Sequence, residues 1–226
     1  GWHDWYLSAN IQSKKILDTH LLKGLSAAGV PKKLRNTIFS FRFNDIENLK
    51  KIIKTKKIGI IKMEIFRNIK PNINFLKKVR EICNKKNIIL IFDECTSGFR
   101  ETFGGLHLKY KVFPDIAVFG KALGNGHPIT AVIGKRNVME KAKYSFISST
   151  FWSDRSGPVA ALKTLEVMEN MKSWKIITNK GKLIKNAIKR IGKKNNIKLS
   201  ISGLDSVIKI NFNYKLLSEL VNINKD

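Results

Sequence analysis

Apolar and polar positions along this chain switch between strand-like alternation and helix-like spacing, and the switches predict its elements. Residues 1–23, with three aromatics and a Gly-Trp-His-Asp-Trp start, follow neither pattern and are read as a loop leading into an irregular segment. From Asn36 the pattern settles: residues 37–41 predict a strand, 44–53 a helix opened by an Asn or Asp cap, and 58–64 a β-branched strand. Phe75, Val79 and Ile82 fall at helical spacing within 74–86, and the unbroken apolar run 88–92 predicts a strand covered on both faces. Apolar runs at 115–119 and 129–133 predict two further strands, the first ending at Gly120-Lys121. An alanine-rich helix over 158–168 and a strongly basic amphipathic helix over 179–193 follow, then strands at 197–201 and 206–212 around Gly203-Leu204-Asp205. Strand and helix alternate, so the expected fold is α/β with a mostly parallel sheet. The change of pattern near residue 173 predicts a large domain over 1–172 and the start of a small α+β domain over 173–226, with no closing element in 216–226.

Composition narrows the classes. With 226 residues, 43% of them hydrophobic, and only 15 Gly and 5 Pro, the chain can bury a core, which excludes collagen-like, mucin-like and disordered readings. Its longest apolar runs are strand-sized, far short of the roughly 18 residues of a membrane span. The start at Gly1 carries no basic stretch followed by an apolar one, so no signal peptide is expected. Cys83 and Cys95 are too few for a disulfide framework or a four-ligand zinc site, and the four histidines lack ligand spacing, so no metal is expected and a reducing, cytoplasmic setting is the default. The 43 Lys+Arg against 17 Asp+Glu, a net charge of +26, raise the question of a nucleic-acid partner. The excess is mostly lysine, spread over the whole length beside abundant Ile and Asn, as an A/T-rich coding sequence supplies it. The lysine-rich segments 49–57 and 180–198 read as exposed helix faces, without the aromatic platforms that stack bases. The basic surface is therefore read as solvated.

The residues with chemical potential stand at the ends of two predicted buried strands. Asp93-Glu94 closes one and Lys121 closes the other, and in open α/β sheets ligands sit at the carboxyl ends of strands. A lysine there can act as an amine nucleophile toward an aldehyde, forming a Schiff base, and a facing carboxylate can hold a pyridinium nitrogen protonated. That pairing is what a pyridoxal phosphate site demands. Spacing alone also admits a plainer account, in which Lys121 caps a strand in solvent and Asp93 caps a helix.

Two longer strings change that balance. Leu90-Ile-Phe-Asp-Glu-Cys-Thr-Ser-Gly-Phe-Arg100 and Pro114-Asp-Ile-Ala-Val-Phe-Gly-Lys-Ala-Leu-Gly-Asn-Gly-His-Pro128 resemble the class III aminotransferases of the ornithine or glutamate-semialdehyde type. The resemblance covers most of residues 1–170 and fades beyond. It implies the fold type I architecture of pyridoxal-phosphate transferases and pyridoxal 5′-phosphate as cofactor. It also implies Asp93 as partner of the pyridine nitrogen, Lys121 as the Schiff-base lysine, and a homodimer. Ser148-Ser-Thr-Phe-Trp152 followed by Gly157-Pro158 is similar to the segment whose threonine reaches the partner subunit's cofactor phosphate, which implies that role for Thr150; an ordinary helix cap is the alternative. Glu64 takes the place of the family's Glu-Pro motif with Ile65 for the proline, implying a structural role only.

Around these, Gly124 and Gly126 are expected to permit close backbone packing beside the lysine. Glu94 is expected to turn away into a structural hydrogen bond and Cys95 to pack. Arg100 is open between a substrate carboxylate and a fold-stabilising ion pair. His3, His107 and His127 carry no strong individual signal. The family's glycine-rich phosphate loop, stacking aromatic and the end of its small domain have no counterpart, so the chain is read as a fragment. The implied activity is transfer of an amino group between an amino donor and a keto or aldehyde acceptor. The rivals are an intramolecular shift of the glutamate-1-semialdehyde aminomutase kind and a basic nucleic-acid-binding module with decayed cofactor motifs.

Overall fold

The structure is a computed structural model that describes residues 4–11, 16–19, 24–66, 68–148, 150–151 and 153–212. The expectations for His3, Trp152 and 216–226 lie outside them. Two compact units follow one another, Gly1–Ile58 and Gly59–Asp226. Among the described residues no helix is long and apolar enough to cross a membrane.

Among its described residues the first unit has short helical turns and one longer helix, α1 (Ile46–Thr55), whose Asp45 cap accepts a hydrogen bond from the Asn48 amide at 2.9 Å. Leu49 buries its inner face, and the Asn10 side chain ties Leu17 and Leu25 together through the Leu17 N–H and the Leu25 carbonyl. The strand expected at 37–41 does not form. Asn36 and Asn44, at φ 65° and 64°, turn the chain at either end of that run. Thr37 Oγ1 donates to the Leu34 carbonyl and the Arg42 N–H donates to Asn48 Oδ1, so local side-chain bonds replace a ladder.

The second unit holds the sheet. β1 (Ile60–Glu64), β2 (Ile89–Asp93) and β3 (Ile116–Phe119) pair in parallel, and β4 (Ala131–Gly134) adds an antiparallel edge, in the order β1-β2-β3-β4. Alternation decides the faces. Ile61, Met63, Leu90, Phe92, Ala117 and Phe119 are all buried on one side, while Lys62, Ile91, Asp93 and Val118 occupy the other. β2 is thus half-covered on its second face, where its apolar run predicts full burial. α2 (Ile73–Lys86) crosses from β1 to β2. It buries Phe75, Leu76, Val79 and Cys83, and it ends at Asn87 in the left-handed region.

α3 (Ser156–Met171) adds a second cluster through Ala161, packed with Phe99, Ala117, Phe119 and Leu123. Lys172, at φ 50°, is all that separates it from α4 (Ser173–Lys194), which starts well before the expected residue 179. α4 packs against the hairpin of β5 (Leu199–Leu204) and β6 (Val207–Phe212). A Cβ at Gly181 would come within 1.8 Å of the Asp205 carbonyl, so only glycine lets helix and turn approach this closely. Lys185 pairs with Asp205 at 3.2 Å across the same contact.

Asp115 fastens the amino end of β3. Its Oδ2 accepts from the Leu90 N–H and from Arg80, both at 2.8 Å, its Oδ1 pairs with Lys135 at 2.7 Å, and its backbone bonds both β2 and the residue after β4. Burial alone would raise the Asp115 carboxyl, but the Leu90 amide, Lys135 and Arg80 outweigh it and hold the group below its ordinary value. A carboxylate depressed on folding contributes stability that is present above its unfolded pKa and lost as pH falls through the folded one. Asp115→Ala is therefore expected to lower the unfolding free energy by about 2–4 kcal/mol at neutral pH. Urea titrations followed by circular dichroism should show that difference shrinking once pH drops below about 4.

Candidate active site

Parallel register brings the two sequence-predicted groups to the same edge of the sheet. Asp93 is the last residue of β2, opposite Glu64 of β1 and Val118 of β3. Lys121 stands two residues past β3 and opens a short helical turn, Lys121–Leu123. Its side chain reaches back over the turn that follows β2, where Nζ donates to Thr96 Oγ1 at 2.9 Å. Among the described residues no carboxylate pairs with that ammonium.

Lys121 also holds an uncommon backbone. Among the described non-glycine residues with left-handed φ, most are asparagines, and Lys111 and Lys172 end helices. Phe99 (φ 60°) and Lys121 (φ 48°) are neither, and they lie in the turns after β2 and β3. Such a conformation costs about 1–3 kcal/mol and persists where the surroundings impose it. Gly124 is part of that imposition, since a Cβ there would lie 2.2 Å from the His127 carbonyl. Turn and lysine are held together.

Asp93 accepts the Cys95 amide on Oδ1 at 3.1 Å and pairs through Oδ2 with Lys62 Nζ at 2.9 Å. Burial pushes its carboxyl upward, and the Lys62 ammonium and the Cys95 contacts more than compensate, so it is held below the ordinary aspartate value and stays ionised. Cys95 lies between the two groups. Burial and the neighbouring Asp93 raise its thiol, against a weaker pull from Lys121 and Lys62. That keeps it in the inert thiol form expected of a packing residue.

Glu94, fully buried, turns away from this edge as its neighbour's opposite. It accepts from the His107 amide at 3.0 Å, lies 2.9 Å from His107 Nδ1, and takes the Ser97 hydroxyl. The loop from 94 to 107 is thereby closed on itself, which steadies Thr96 under Lys121. Arg100 forms no ion pair among the described residues; its carbonyl accepts from Thr178 Oγ1 at 3.1 Å and its Nε is buried without a partner. Thr150 sits exposed in a turn ahead of α3, and among the described residues no hydrogen bond joins it to Asp93 or Lys121. Lys62, Thr96 and Ser97 are contributors that the sequence reading did not single out, although Thr96 and Ser97 lie within the Leu90 to Arg100 string; His107 is named in that reading without a strong individual signal. Lys62 shows only as a polar position alternating with Ile61 and Met63, and nothing in the local pattern names its partner on the next strand.

The aminotransferase class-III family model matches residues 68–223. A 3-aminobutyryl-CoA aminotransferase of Cloacimonas acidaminovorans is 34% identical over 212 residues, 90% of this chain and 47% of the relative. A glutamate-1-semialdehyde 2,1-aminomutase of Methanosphaera stadtmanae is 35% identical over 212 residues, 86% of this chain and 50% of that protein. Among solved structures, ornithine aminotransferase from Plasmodium yoelii superposes with a TM-score of 0.69 at 26% identity, over 82% of this chain and 52% of that one. The PLP internal aldimine form of the FumI protein of Sphingopyxis sp. MTA144 reaches 0.79 at 18% identity, over 92% of this chain and 55% of that one, a likeness of fold. The chain spans about half the length of the curated relatives it matches.

Removing the buried acceptor should cost more than any surface ion pair. Glu94→Ala strands the Ser97 and His107 donors and is expected to destabilise the protein by about 2–4 kcal/mol. Glu166→Ala, which breaks the exposed Lys163 pair, is expected to cost less than about 0.5 kcal/mol. Chemical denaturation of the two variants beside the parent protein measures both.

Proposed function

The chain belongs to the class-III aminotransferase family, and from that premise we propose that it is a catalytic part of a pyridoxal-phosphate-dependent aminotransferase acting between an amino donor and a keto or aldehyde acceptor. One observation carries the reading. A lysine whose amine has a hydroxyl and, among the described residues, no carboxylate for a partner stands one strand from an ionised aspartate, both at the carboxyl edge of a parallel sheet. The donor set fits the cofactor: an amine for its aldehyde and a carboxylate for its ring nitrogen.

When bound, the cofactor supplies an aldehyde that captures amines and a ring that accepts an electron pair from the substrate α-carbon. Lys121 would hold the cofactor through that aldehyde, and its free amine would move a proton to and from the substrate α-carbon as general base and acid. Its strained backbone and the Thr96 hydroxyl aim Nζ over the turn after β2. Asp93 would keep the ring nitrogen protonated by the opposite-charge effect. Thr150, exposed ahead of α3, is assigned to the cofactor phosphate of a partner subunit in a homodimer. Residues 1–172 are read as part of the cofactor-binding domain and 173–226 as the start of the small domain, a division supported by α4 packing on its own two-stranded sheet. A cytoplasmic setting completes the reading.

The aminomutase relatives favour a second reading, an amino shift within one substrate. The two part on a single requirement. A transaminase converts the donor only with stoichiometric use of a separate acceptor, whereas an aminomutase needs no external keto acid.

Incubation with pyridoxal phosphate followed by borohydride is expected to place a reduced pyridoxyl group on the peptide containing Lys121, and Lys121→Ala to abolish it. Absence of label from the parent protein would overturn the reading. Asp93→Ala should keep the label and lower turnover by at least about 10²-fold.

A further inference from the structure

The Lys62–Asp93 pair is not needed by the chemistry above, and it occupies the atom the cofactor would use. Lys62 and Asp93 project from the same face of adjacent parallel strands, Lys62 two residues before the β1 position that registers with Asp93. Asp93 Oδ1 is committed to the Cys95 amide, and Oδ2 is committed to Lys62 Nζ at 2.9 Å. Both carboxylate oxygens are thus engaged, one by a backbone donor and one by a half-exposed side-chain cation. The Asp93 side chain is 19% exposed and that of Lys62 52%, so the lysine head lies at the solvent side of the pair and can leave it by rotating its own stem.

We propose that Lys62 is a positioning residue that holds Asp93 ionised and aimed in the absence of cofactor, and that competes with the protonated ring nitrogen for Asp93 Oδ2. The inference rests on the reading of Asp93 as the ring-nitrogen partner. Its physical basis is simple electrostatics. A positively charged ring nitrogen approaching Asp93 meets a carboxylate already neutralised, and it must displace the ammonium or share the oxygen with a like charge. An uncharged ring in the same place pays no such penalty. Lys62 therefore reduces the advantage that a protonated ring holds over a carbocyclic one, and so sets how tightly and in which protonation state the cofactor is held.

The test compares binding of two probes, pyridoxal phosphate and its 1-deaza analogue, in which carbon replaces the ring nitrogen. Fluorescence titration of the purified protein measures both dissociation constants, with circular dichroism to confirm the fold. Lys62→Met is expected to tighten pyridoxal phosphate by about 3–10-fold while moving the deaza analogue less than about twofold, since only the first brings a charge to Asp93. Lys62→Arg should keep the parent ratio, and Lys62→Gln offers a second neutral variant should methionine disturb the strand. An unchanged ratio in both neutral variants, or a loss of pyridoxal phosphate affinity in them while the analogue is unmoved, overturns the proposal. Should the parent protein fail to hold pyridoxal phosphate on Lys121 after borohydride, the reading of the site falls and this inference with it. A parent protein that is labelled, beside neutral variants with an unchanged ratio, removes the Lys62 inference alone.

Discussion

The parallel pairing of β1, β2 and β3 is the constraint on which everything else depends. Side chains on a strand alternate between faces, so a slip of one residue in β2 would turn Asp93 into the apolar side now filled by Phe92 and bring Phe92 out. The complete burial of Leu90 and Phe92 forbids that slip, because each would expose its apolar surface. The hydrophobic pattern thereby fixes the height and direction of the acid and, through β3, of the lysine. The placement of both groups at this edge is a consequence of core packing one residue away.

Two buried carboxylates secure that arrangement from opposite ends. Asp115 ties the amino end of β3 to β2, to α2 through Arg80, and to the residue after β4. Glu94 closes the loop after β2 onto Ser97 and His107, so that Thr96 has a defined place beneath Lys121. Neither group faces the candidate site. They supply rigidity at the places where a strand ends and the backbone turns sharply, and a strained residue such as Lys121 needs that rigidity to persist.

Much of the fold was legible. β2, β3, α2, the core of α3 and the β5–β6 hairpin follow from apolar spacing, because local period and burial coincide there. The strand expected at 37–41 failed for a local reason, since asparagine turns and side-chain bonds to the backbone capture a run that has no ladder partner among the described residues. The second face of β2 was misjudged because an unbroken apolar run reports the capacity to be covered, and what covers it is a tertiary matter. α4 begins earlier than its pattern because one left-handed residue, Lys172, suffices to turn the chain between two helices.

For the site, the sequence by itself determined the identities of Asp93 and Lys121, their places at strand ends, and the family strings around them. Those are properties of contiguous residues, and contiguous patterns are what a sequence displays. The hydrogen bond from Lys121 to Thr96, the ion pair of Lys62 with Asp93, and the Glu94 closure with His107 join residues far apart in the chain or on different strands. Strand register, loop path and burial decide those partners, and each is a sum over distant contacts that no local spacing encodes. The downward shift of the Asp93 carboxyl belongs with them, because it is the balance of burial against the Lys62 ammonium and the Cys95 contacts that the fold brings to its oxygens.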